Sequence, residues 1–130
     1  MVVAHREELL TQASDKIQRI CGITPGIEMA EYWADDPNHG GRPAVLVASV
    51  QTLNSGMGGD GRVSRFRPEE FSLLIIDEAH HAPAPTYRRV IDHFTQNDKC
   101  KVLGFTATPD RLDEKAMGQI FTDCAYDYDV

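Results

Sequence analysis

At 130 residues the chain is long enough for one domain with a real core and too short for two. Its 42% hydrophobic and 25% charged residues are ordinary for a globular protein, and no apolar run approaches a membrane span. A formal net charge of -7 argues against general affinity for nucleic acid, so any such surface has to be local.

Residues 2–4 (Val2-Val3-Ala4) read as the end of a short strand. Residues 6–20 then read as a helix, because Leu9, Leu10, Ala13, Ile17 and Ile20 fall on one face at helical spacing and Gly22 suits a C-cap. Thr24-Pro25-Gly26 is a turn, residues 27–32 a short strand, and residues 35–43 a polar loop. A continuous apolar strand is expected over residues 44–48, followed by a short helix opening at residues 49–53. The stretch 56–61 is rich in glycine. Pro85 suits the first turn of a further helix, and Tyr87, Val90, Ile91 and Phe94 repeat at the spacing of a helix packed on a sheet. Residues 101–105 form the next strand and residues 113–121 a short helix. Residues 124–130 alternate polar and apolar, as in a terminal strand with one wet face. Strands alternating with helices give an α/β fold with a mostly parallel sheet flanked by helices.

The most informative stretch is Leu73-Leu74-Ile75-Ile76-Asp77-Glu78-Ala79-His80-His81. Four apolar residues without polar alternation suit a strand buried on both faces of a parallel sheet. The run stops at two adjacent carboxylates, at the carboxyl end of a strand, where ligands of open α/β sheets bind. An acid in that place is costly unless a cation or hydrogen bonds compensate it.

Asp77-Glu78-Ala79-His80 spells the DEAH box, and one strand later comes Thr106-Ala107-Thr108-Pro109. Together they resemble the Walker-B and coupling motifs of superfamily-two helicases, most closely the branch containing type I and type III restriction-enzyme motor subunits and related phage helicases. The resemblance implies a RecA-like P-loop NTPase fold, here part of the first RecA-like domain over residues 1–130. The Walker A strand and the second RecA-like domain fall outside it. It implies a fragment of an ATP-dependent helicase or translocase, acting on DNA, with ATP and Mg²⁺ as cofactors.

On that resemblance Asp77 would hold Mg²⁺ on the nucleotide phosphates, Glu78 would orient and deprotonate the attacking water, and His80 would bridge to the threonine turn. Phosphoryl transfer asks for that division of labour, a metal to spread charge and a base to aim the nucleophile. A carboxylate pair that merely caps the next helix is the competing reading. Thr106 and Thr108 would couple the box to the nucleic-acid side, or else simply cap a turn. His81 reads equally as solvated or functional. His5 and Arg6 resemble motif Ia, which contacts a nucleic-acid backbone, and Ser49, Gln51 and Thr52 resemble the next strand-contacting motif. Short hydroxyl and amide groups suit phosphate positioning and carry no base code. Arg62, Arg65 and Arg67 form the one basic cluster, either a solvated loop or a DNA contact, and Arg111 reads best as an exposed arginine after a turn.

No Gly-x-x-x-x-Gly-Lys-Ser/Thr occurs in the 130 residues, so the isolated chain is expected to bind ATP negligibly. The P-loop is expected upstream of Met1, and its missing strand should leave sheet edges that promote self-association. The three cysteines, Cys21, Cys100 and Cys124, read as free buried thiols of a cytoplasmic protein rather than as a zinc site. The Met1 end shows no signal-peptide pattern, and no membrane partner is expected. Two other functions fit the same residues. One is a metal-dependent hydrolase using Asp77, Glu78, His80 and His81; the other is a non-enzymatic module that binds nucleic acid or a partner.

Overall fold

The computed structural model describes residues 1–34, 43–56, 61–107 and 115–126. The elements in chain order are β1 (Val2–Ala4), α1 (Glu7–Cys21), β2 (Gly26–Glu28), β3 (Leu46–Ser49), α2 (Val50–Asn54), β4 (Leu73–Asp77), α3 (Pro85–Phe94) and β5 (Lys101–Phe105). Single 3₁₀ turns lie at Arg62–Arg65, Pro68–Glu70 and Ala79–His81.

The five strands form one sheet in the order β2-β3-β1-β4-β5, and every pairing is parallel. The chain therefore builds outward from β1 in both directions, with α1 and α3 carrying it across the faces, the arrangement expected of an α/β RecA-like domain. β3 is buried at all four positions, which accounts for its continuous apolar sequence.

Each face has its own core. Ala4, Val47, Leu10 and Met29 meet beneath α1. The opposite face is larger, and Val3, Ala48, Leu74 and Ile76 pack there against Val90, Phe94 and Leu53 from α3 and α2. α1 ends on Gly22, whose left-handed φ of 67° lets its N–H reach the Gln18 carbonyl. Pro85 opens α3 at its first turn, where a missing N–H costs nothing.

Among the described residues the α1 face is covered over β1 and β3 but not over β4 and β5, so β4, expected to be buried on both faces, is buried only at Leu74 and Ile76 because no helix packs on its other side. The register places Ile75 beside Leu103 and Asp77 beside Phe105. Leu73, Leu103 and Phe105 are 40%, 39% and 55% exposed, an open apolar strip beside the sheet edge formed by β5.

Three further expectations need correction. Cys124, Ala125 and Tyr126 form no strand, because alternation supplies a wet face but not a neighbouring ladder. Only Cys100 is a buried thiol; Cys21 and Cys124 are exposed. The strand expected over residues 27–32 stops at Glu28, where Met29 and Tyr32 close a tight turn on each other through two backbone hydrogen bonds. Most of the polar loop at 35–43 and of the glycine-rich stretch at 56–61, together with Thr108, Pro109, Arg111 and residues 127–130, lies outside the described residues.

Candidate nucleotide-handling site

β4 delivers Asp77 to the carboxyl edge of the sheet, half-buried beside Phe105. Glu78 then turns the chain sharply, at φ 52° and ψ 53°. A non-glycine residue in the left-handed region costs about 1–3 kcal/mol and persists where the surroundings over-determine it, most often at functional sites. The Glu78 N–H donates to Asp77 Oδ1 at 3.0 Å, which holds the Asp77 carboxylate against the turn.

The 3₁₀ turn Ala79–His81 folds back over the end of β5. His80 Nδ1 lies 2.9 Å from Thr106 Oγ1 and 3.4 Å from Glu78 Oε2. One imidazole nitrogen therefore spans the acid pair and the threonine turn, two segments 26 residues apart in sequence. This close return requires Gly104, since a Cβ there would stand 2.7 Å from Ala79 Cβ and 2.6 Å from Phe121 Cζ. The sequence gives no motif for that glycine; its role comes from an approach between distant segments.

His81 points away from His80's partners, toward β1. Its ring meets His5 edge-on at 4.7 Å, His80 at 4.1 Å and Tyr87 in a stack at 6.3 Å. Partial burial, then the neighbouring His80 and His5, push the His81 pKa below its ordinary value. Tyr87 is buried, its hydroxyl without a hydrogen-bond partner among the described residues, and burial with the fields of Asp77 and Glu78 pushes its pKa up to about 12. The phenol therefore stays neutral at ordinary pH and adds no negative charge behind the acids. Sequence periodicity had assigned Tyr87 to packing alone.

The other candidates are placed as follows. His5 and Arg6 follow β1 directly, with Arg6 Nε 3.3 Å from His5 Nε2. Ser49 caps α2 by accepting the Thr52 N–H and donates to Gln51 Oε1. Thr52 Oγ1 accepts the Ala30 N–H at 3.0 Å. Ser49 and Thr52 are buried in this capping network, and Gln51 is exposed. β1, β3 and β4 end at the same edge of the sheet, so these residues and the acid pair share one rim.

The basic cluster divides. Arg62 is neither solvated nor turned outward; it is buried against Glu28, whose side chain is fully enclosed. Arg62 Nε donates to Glu28 Oε1 at 2.7 Å, and Arg65 donates to the same oxygen at 2.7 Å. A buried carboxylate survives only with such partners. Arg67 pairs loosely with Glu70 at the surface.

A magnesium ion bound with a nucleotide asks the protein for only one or two carboxylates, the rest of its shell being water and phosphate. Asp77, half-exposed at a strand tip with a second acid beside it, fits that demand. Among the described residues no three His, Cys, Asp or Glu side chains gather as ligands.

Residues 1–111 match the family model described as type III restriction enzyme, res subunit. The chain is 35% identical to the protein named ATP-dependent helicase IRC3 of Saccharomyces cerevisiae, over 97% of the chain and 17% of that protein. It is 33% identical to the mitochondrial ATP-dependent helicase irc3 of Schizosaccharomyces pombe, over 90% of the chain and 18% of that protein. It is 30% identical to the DNA 3'-5' translocase XPB2 of Sulfurisphaera tokodaii, over 88% of the chain and 22% of that protein. The chain thus spans about a fifth of the length of these relatives.

Proposed function

The chain belongs to the family of type III restriction enzyme res subunits, and from that premise we propose that it is the acid-bearing part of an ATP-dependent motor that moves on DNA. Asp77 would hold Mg²⁺ against the nucleotide phosphates, where the ion supplies charge neutralisation to phosphoryl transfer. Glu78 aims and deprotonates the attacking water. His80 carries the position of Glu78 to Thr106, and through that turn, with Thr108 beyond it, to the rim where His5, Arg6 and the Ser49–Thr52 segment meet nucleic acid, the exposed Gln51 making the contact and Ser49 and Thr52 holding the segment in place. The single observation behind this reading is that His80 Nδ1 reaches both Thr106 Oγ1 and Glu78 Oε2.

The nucleotide's phosphate cradle and a second RecA-like domain are supplied by other parts of the same machine. The edge that β5 forms among the described residues and the strip of Leu73, Leu103 and Phe105 support that assignment, since both ask for a covering strand and helix. In the 130-residue chain alone, the same surface favours pairing with a second copy. Light scattering that finds a monomer at all concentrations would remove that part of the reading.

The test of the whole reading is Glu78→Gln in a protein carrying this segment with its phosphate-binding loop. The variant should bind ATP normally and hydrolyse it at least about 100-fold more slowly. Unchanged turnover would strip Glu78 of its role. The 130 residues alone should show no micromolar affinity for Mg-ATP by calorimetry.

A further inference from the structure

Beyond the acid rim, the turn after β2 holds two outward-facing aromatic rings, Tyr32 at 54% and Trp33 at 49% exposure. This turn is fixed from several sides. Met29 and Tyr32 exchange backbone hydrogen bonds, and Ala30 sits at φ 47°. The Ala34 N–H donates to Glu28 Oε2 at 2.8 Å. Arg62 donates to the carbonyls of Ala30 and Tyr32 at 2.6 and 2.9 Å. The Ala30 N–H is held by Thr52, one of the residues assigned above to nucleic-acid contact.

The Trp33 ring is therefore presented by a rigid frame. The Arg62 guanidinium lies 3.6 Å from its centroid and that of Arg65 4.3 Å. Both guanidiniums bond the same Glu28 oxygen, which keeps them too close together to straddle an indole. They back one face of the ring, and the other face accounts for its exposure.

We propose that Trp33 is a stacking platform for an unpaired base of single-stranded nucleic acid, next to the Ser49–Thr52 segment. The inference rests on the nucleic-acid reading above and deepens it by naming a base-contacting residue. The ligand is a base rather than a phosphate run. Arg62 and Arg65 are largely consumed by Glu28, and exposed Glu31 lies beside the rings. Base–aromatic stacking is tolerant of sequence and draws on a ring face rather than on a run of cations, which suits an acidic domain.

Trp33 is the sole tryptophan of the chain, so its own emission reports the contact. The 130-residue chain is titrated with a 15-nucleotide oligothymidylate and with an abasic oligonucleotide of equal length, while anisotropy of a labelled oligonucleotide follows binding. Oligothymidylate should quench Trp33 with the midpoint seen by anisotropy, and the abasic strand should not quench. Trp33→Phe should bind within about threefold of the parent chain, and Trp33→Leu, which keeps an apolar side chain beside Arg62 and Arg65, about tenfold more weakly. Binding with unchanged emission, or full affinity in Trp33→Leu, overturns the platform and leaves the nucleic-acid reading intact. No binding of either strand overturns the reading beneath it and the platform with it.

Discussion

Two clusters of charge lie at the carboxyl side of this sheet, and they are built on opposite principles. Around Glu28 every carboxylate oxygen has a donor: Arg62 and Arg65 share one, and the Ala34 N–H takes the other. Around Asp77 and Glu78, half-exposed acids stand side by side in a strained turn, and an imidazole rather than a guanidinium is the neighbour. The first cluster is closed and holds chain segments together. The second is left electrically incomplete, the condition needed to receive a cation and to take a proton.

The comparison breaks most visibly at Glu28. Glu28→Ala leaves Arg62 buried without its counter-ion, so a loss of about 3–5 kcal/mol is expected in urea unfolding. A loss below about 1 kcal/mol would mean that the cluster is a surface decoration. Gly104→Ala follows, at about 1–3 kcal/mol, because its methyl meets Ala79 Cβ, which is part of the turn it would have to displace. Its signature is local: the His80–Thr106 contact should be lost, and the His80 ring resonance should shift in NMR. Glu78→Gly sharpens the contrast from the other direction. Removing the side chain relieves the left-handed strain, and the variant should be more stable by about 1 kcal/mol while abolishing hydrolysis in the longer protein. A destabilised Glu78→Gly would show that the turn is not strained.

The acid turn is readable from sequence because its physics is local. A short apolar run closed by two acids and two histidines names its own place in a parallel sheet, although only its Leu74 and Ile76 face is buried. The same holds for α3, whose buried Tyr87, Val90, Ile91 and Phe94 follow one helical face. The Glu28 cluster is unreadable by the same means, because Glu28 and Arg62 stand 34 residues apart and Arg62 sits in a stretch that reads as a loop. Arginine near glycines looks solvated until its partner is known. Gly104 is equally silent, since its neighbours Ala79 and Phe121 come from two other segments. Tyr126 shows the converse, a clear alternation that lacks a strand to pair with and so stays exposed coil.

The smallest expected effect concerns protons at the join between the two regions. His81 has its pKa lowered by partial burial and by the neighbouring rings of His80 and His5, with Arg6 adding to the same effect and Glu78 opposing it. A depressed histidine takes its proton later in the folded chain than in the unfolded one. Above the ordinary histidine range neither state is protonated and the group is neutral to stability. As pH falls through that range the unfolded chain binds the proton first, so folding stability falls. The N-terminal amine, lowered to about 6 by burial, acts with the same sign between about pH 8 and 6. Because both contribute, the histidine share is isolated by difference. Melting temperature between pH 7.5 and 5.5 should fall less in His81→Asn than in the parent chain, and the gap should be small because His81 is largely solvated. An identical fall in both would place the acid sensitivity elsewhere and leave the His5–His81–His80 contact a packing feature without electrostatic consequence.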